Sequence, residues 1–109
     1  MTAERSGRNV RLIEDGHLVA VADLETTDDP TVIRASLHTE AGHRPVGAGA
    51  RLVDAVLDLD EARRGHVLEA ALPVGDVEAL QRLRARCPDV TTRPAGATCL
   101  VDAELPASN

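Results

Sequence analysis

From Thr31 to Glu40 apolar and polar residues alternate well, with Ile33, Ala35 and Leu37 on one side and Arg34, Ser36, His38 and Glu40 on the other. A period of two is the signature of a half-exposed strand. Upstream, Val10–Ile13 and Leu18–Glu25 flank Glu14-Asp15-Gly16-His17, and an Asp-Gly pair between apolar runs predicts a tight hairpin. In the second of these strands Leu18, Ala20, Ala22 and Leu24 share one face and Val19 and Val21 the other, so the pattern predicts a central strand covered on both sides.

After three glycines and Pro45 between residues 41 and 49, the period changes. Over Ala50–Leu59, Leu52, Val53, Val56 and Leu57 fall on one stripe and Arg51, Asp54 and Asp58 opposite, which predicts an amphipathic helix. Arg63-Arg64-Gly65 closes that region, with cations in the last turn and a glycine suited to a left-handed cap. His66–Val74 has little polarity and reads as a strand buried on both faces. Asp76 can cap a second helix, in which Glu78 suits the first turn and Ala79, Leu80 and Leu83 point inward before Pro88 stops it. Asp89–Arg93 and Ala97–Leu105 read as closing strands. The expected fold class is α/β (α+β), a mixed sheet in the order β-β-β-α-β-α-β, with a ferredoxin-like sandwich as the alternative. Residues 10–105 form the expected single domain, with 1–9 and 106–109 as tails.

Composition narrows the function classes. The chain has 109 residues and no Phe, Tyr or Trp, so its core must come from Leu, Val, Ile and Ala. A domain of this size leaves much of its surface uncovered, and a homodimer hiding an apolar sheet face is expected. A formal charge of −6 and the want of stacking aromatics argue against nucleic acid. No apolar run reaches the roughly 20 residues of a membrane span. The opening MTAERSGRN is unlike a signal peptide, and two cysteines are too few for a disulfide framework, so the expected compartment is the cytoplasm.

The candidate chemistry lies between Arg44 and Leu52. A strand that runs through a glycine-rich turn into a helix points several free N–H groups at one space, where the helix dipole favours an anion. Gly47 and Gly49 would let phosphate oxygens approach the backbone, and Arg44 would supply a charged donor. Read by itself, such a turn is as readily a plain strand-to-helix connection.

Arg44-Pro45-Val46-Gly47-Ala48-Gly49-Ala50-Arg51-Leu52 resembles the [QR]-x-x-G-x-[GA]-x-x-L loop of the GNAT N-acyltransferase superfamily. Leu37 and Thr39 sit where that family carries alternating apolar residues ahead of the loop, and Asp76-Val77-Glu78-Ala79 looks like its Asn-x-x-Ala helix start. The resemblance spans roughly residues 10–105 and implies a GNAT-like domain that binds coenzyme A or acetyl-CoA. The backbone of Val46, Gly47, Ala48, Gly49 and Ala50 would cradle the pyrophosphate, with Arg44 at the rim. Leu37 and Thr39, on the preceding strand, would meet the pantetheine arm where two parallel strands splay apart. Transfer of the acyl group to an amine would follow from the same resemblance. Yet the position of the family's general-acid tyrosine is Leu83, and the two helices that shape its acceptor pocket have no counterpart, so the chain resembles a truncated or degenerate member.

The rival class is a non-catalytic homodimeric or protein-interaction module that has lost the ligand. Micromolar binding of coenzyme A, abolished by Gly49→Glu with the fold intact, would separate the two. A corner plugged by side chains, or amides already bonded elsewhere, would leave only a scaffold. The remaining polar residues have ordinary readings: His38, Glu40 and His43 as a solvated strand end with no metal, His17 and His66 at a turn and a strand entry, and Asp58, Asp60 and Glu61 as a helix end. Arg82, Arg84 and Arg86 read as helix-end cations, and Cys87 and Cys99 as core thiols, with Arg86 placed to lower the pKa of Cys87 were that thiol exposed.

Overall fold

The computed structural model describes residues 1–25, 27–39 and 45–106. Seven strands, β1 (Thr2–Ser6), β2 (Asn9–Glu14), β3 (His17–Glu25), β4 (Val32–Thr39), β5 (Val67–Pro73), β6 (Asp89–Ala95) and β7 (Thr98–Glu104), form one sheet in the order β1-β2-β3-β4-β5-β7-β6. Helix α1 (Ala48–Leu57) and the short α2 (Asp60–Arg64) join β4 to β5, and α3 (Val77–Arg86) joins β5 to β6. The helical crossover returns the chain to the starting end of the sheet, so β4 and β5 run parallel while the other neighbours are antiparallel.

The β2–β3 hairpin forms at Asp15-Gly16, whose φ angles of 52° and 78° are those a two-residue I′ turn needs. Residues 2–6, expected in a tail, instead form β1. Gly7 at φ 58° turns the chain back, and β1 pairs along its length with β2 although every side chain in it is exposed. Main-chain hydrogen bonds, which leave no hydrophobic pattern, hold it. Arg5 adds a two-pronged ion pair to Glu61 of α2, with one of its bonds at 2.9 Å.

One face of the sheet is the core. Val10 and Leu12 of β2, Ala20 and Ala22 of β3, Ala35 and Leu37 of β4, Leu68, Ala70 and Leu72 of β5 and Val101 and Ala103 of β7 are all buried there. The alanines of the central strands leave room for Leu52, Val53, Val56 and Leu57 of α1, so large residues of the helix meet small ones of the sheet. α3 packs beside α1.

The other face departs from expectation. Burial in β5 alternates residue by residue, and Glu69 stands out from it to meet Arg34 at 3.0 Å. Val21 of β3 is only half-buried, opposite His38. Among the described residues no helix lies over this face, so neither strand is covered on both sides. Arg34, Asp23, His38, Glu69 and Asp102 occupy it where an apolar dimer face was expected. A register shift beside Leu12 and Ile13 makes Val19 an extra residue in β3, buries it, and leaves Leu18 exposed.

Two boundaries also move. α1 starts at Ala48, ahead of the expected Ala50, and the extended Leu59 separates it from α2. Gly65 is not left-handed. At φ −83° it is extended, and a Cβ there would lie 3.0 Å from Leu105 Cδ1 and 3.1 Å from Ile33 Cγ1, so the glycine serves close packing.

Candidate functional site

The β4–β5 ladder runs from Val32–Val67 to Ser36–Ala71 and stops. β4 continues to Thr39 paired only with β3, and β5 continues to Pro73 paired only with β7. The two parallel strands therefore part, a feature a ferredoxin-like sandwich would lack. The edge of Leu37–Thr39 on the β5 side carries no ladder. Leu37 itself is buried in the core, and Thr39 is half-buried.

Beyond this opening lies the turn into α1. Gly47 is the residue ahead of the helix, at φ +88° and ψ −2°, and no heavy atom would meet a Cβ there within 4 Å. The left-handed conformation accounts for the glycine. Val46 is 92% exposed at the mouth. Ala48 N–H donates back to the Pro45 carbonyl at 3.2 Å, and Arg51 N–H donates to the Gly47 carbonyl at 2.9 Å. Among the described residues the amides of Val46, Gly49 and Ala50 make no hydrogen bond. Arg44, the proposed rim donor, lies outside the described residues, as do Glu40 and His43.

The first turn of α3 faces this corner. Glu78 accepts a hydrogen bond from Gly47 N–H through Oε2 at 2.6 Å, across 31 residues of sequence. A carboxylate of the chain thus sits at the dipole end of α1 where a phosphate oxygen would sit. α1 has no side-chain cap of its own and no acidic residue in its first turn, and Glu78 takes both roles. The expectation that Glu78 would merely complement its own helix missed this contact. The only local sign of it was that α1 lacks a capping residue.

Asp76 caps α3 by accepting from Ala79 N–H at 3.2 Å, and the residue is 5% exposed. Gly49 lies against it. A Cβ on Gly49 would stand 2.5 Å from Asp76 Oδ1 and 3.1 Å from Ala79 N. The absence of a side chain at residue 49 is therefore required by α1–α3 packing, and Gly49→Glu is not a substitution that spares the fold. Leu83, at the position of the family's tyrosine, is 1% exposed in the core.

Elsewhere several charged residues are paired. Arg86 binds Asp54 of α1 and Asp58 at its C-cap, each at 3.1 Å, and Arg82 reaches Asp54 at 3.7 Å, so two of the three α3 arginines tie the helices together. His38 Nε2 lies 3.3 Å from Asp23 on the open face. Cys87 is buried, and that burial raises its thiol pKa against the smaller lowering by Arg86. A groove of about 840 Å³ lies at the far end of the sheet, among Arg63, His66, Asp89, Asp102 and Glu104. Its charges are mixed. No helix among the described residues is long and apolar enough to cross a membrane.

No family model matches the chain, and no curated protein matches it. Solved structures do. A diaminobutyrate acetyltransferase from Paenibacillus lautus, in complex with L-2,4-diaminobutyric acid and coenzyme A, superposes with a TM-score of 0.66 at 12% identity over 90% of this chain and 70% of its own. A GNAT-family acetyltransferase from Streptococcus pneumoniae gives 0.60 at 9% identity, over 89% and 65%. A structure from Salmonella typhimurium with its cofactor acetyl-CoA gives 0.60 at 18% identity, over 89% and 62%. The chain has the GNAT fold, and it spans under two thirds of the length of the last two.

Proposed function

We infer that the chain is an acyl-CoA-binding domain of GNAT architecture. The observation that carries this reading is the parting of β4 and β5 after Ser36–Ala71, directly ahead of a left-handed Gly47 and a helix N-terminus. The amides of Val46 and Ala50, unbonded among the described residues, would face a pyrophosphate, Gly47 would join them if Glu78 withdraws, the Gly49 amide is the more buried of the set, and Arg44 of the same motif would supply the cation. Ala48 contributes less, because its amide already donates to Pro45. The pantetheine arm would take the ladderless edge of β4 between Leu37 and Thr39. Two neighbours with this fold hold coenzyme A or acetyl-CoA, which supports the assignment.

Transfer to an amine is the less supported half. Leu83, in the core, holds the position of the family's tyrosine and the chain has no tyrosine, so a departing coenzyme A thiolate would not take its proton from that position. Free Cys87 and Cys99 suit a reducing compartment.

Calorimetric titration with coenzyme A tests the reading. Saturable binding is expected, weakened in Val46→Asp, which adds a negative charge at the mouth on a side chain that touches little. Equal binding by Val46→Asp would place the ligand elsewhere. The rival reading, a non-catalytic homodimeric or protein-interaction module that has lost the ligand, is favoured by the Glu78–Gly47 bond, which fills the seat from within the chain. No heat up to millimolar coenzyme A, in wild type and in Glu78→Ala alike, would favour it.

A further inference from the structure

We propose that Glu78 is an autoinhibitory occupant of the anion seat, so that a phosphate-bearing ligand gains the Gly47 amide, and its full affinity, only by displacing it. The inference rests on the acyl-CoA reading and concerns the regulation of that same corner. Its basis is the 2.6 Å bond from Gly47 N–H to Glu78 Oε2, made by a side chain from a different helix. A carboxylate and a phosphate oxygen compete for one donor, and each repels the other at hydrogen-bond range. The seat cannot hold both.

The anchoring of α3 makes this a two-position device. Asp76 fixes the helix start through Ala79 N–H and is itself buried against Gly49, so the backbone that carries Glu78 stays in place. Glu78 is only half-buried, and rotation about its own side-chain bonds takes the carboxylate off Gly47 without moving either helix. In the closed position Glu78 caps α1, and in the open position the ligand does. The stability of α1 and the affinity for ligand are thereby linked through one residue.

The experiment titrates coenzyme A into ¹⁵N-labelled wild-type chain, Glu78→Gln and Glu78→Ala. Affinity comes from calorimetry, and hydrogen exchange at the Gly47 amide is followed in the free proteins. Glu78→Gln keeps the shape of the side chain and removes its charge, which guards against a folding defect in Glu78→Ala. Glu78→Ala should bind at least about tenfold more tightly than wild type, since a hydrogen bond to a charged group typically contributes more than that factor, and Glu78→Gln, which keeps a neutral acceptor for Gly47 N–H, should bind more tightly than wild type by a smaller factor. The Gly47 amide should exchange faster in free Glu78→Ala than in wild type. Wild-type binding that stays equal or falls in both variants overturns the inference and leaves the acyl-CoA reading standing. So does unchanged Gly47 exchange. Absence of binding in all three chains overturns the acyl-CoA reading and this inference with it. Binding by the variants alone supports both.

Discussion

Gly49→Ala sets two local effects of opposite sign against each other. In an isolated helix the change would stabilise by about 1 kcal/mol, because glycine is the poorer helix former. In this structure the new methyl would stand 2.5 Å from Asp76 Oδ1 and 3.1 Å from Ala79 N. Asp76 is buried and holds the cap of α3, so it cannot swing aside freely. Overpacking of a filled site costs about 1–3 kcal/mol. Loss of the displaced cap costs about 1 kcal/mol more. The net expectation is destabilisation by about 1–3 kcal/mol, a sizeable part of the roughly 5–15 kcal/mol that a domain has. With no aromatic residue in the chain, intrinsic fluorescence is silent, and urea unfolding is followed by circular dichroism at the helix band. The midpoint should fall with an unchanged slope. In an Asp76→Ala background the same change should cost less, because the atom it strikes is gone. A stabilised Gly49→Ala, or an equal cost in both backgrounds, would refute the packing argument.

Three further outcomes follow from the same geometry. Leu52→Ala, which empties a site 1% exposed beneath α1, should cost about 2–5 kcal/mol in urea unfolding, and a loss under about 1 kcal/mol would mean that α1 is not seated on the sheet. Arg86→Met removes the cation shared by Asp54 and Asp58 and should cost about 1 kcal/mol, measured the same way, with unchanged stability refuting an inter-helix tie. The hydrogen bonds from Arg5 hold the Glu61 carboxyl down at about 2, from an ordinary 4.5. A depressed folded pKa means that the clamp contributes fully above the ordinary value and is lost as pH falls toward about 2. Both side chains are over a third exposed, so screening keeps the contribution below about 1 kcal/mol. The stability gap between wild type and Glu61→Gln should close by pH 2, and a gap independent of pH would refute the pairing.

Much of the fold was legible in short segments. The alternation of residues 31–40, the Asp15-Gly16 hairpin, the apolar stripe of α1 and the Asp76 cap each depend on dihedral preferences and side-chain periods within about ten residues. Such preferences operate before any other segment arrives. The [QR]-x-x-G-x-[GA] spacing likewise pointed to a turn opening a helix, because only a glycine enters the left-handed conformation freely at residue 47.

Contacts between segments decided the rest. The strand character of residues 2–6 comes from a partner's backbone, which has no side-chain signature. The open second face follows from the absence of a covering layer among the described residues, and no single strand's pattern reports what lies above it. Gly65 and Gly49 are glycines for the sake of neighbours that arrive in the tertiary structure, Leu105 and Ile33 for one and Asp76 for the other. Glu78 reaches Gly47 only because α3 packs beside α1. A glycine's own conformation is a local property, but which atom fills the space beside it is settled by how distant segments pack.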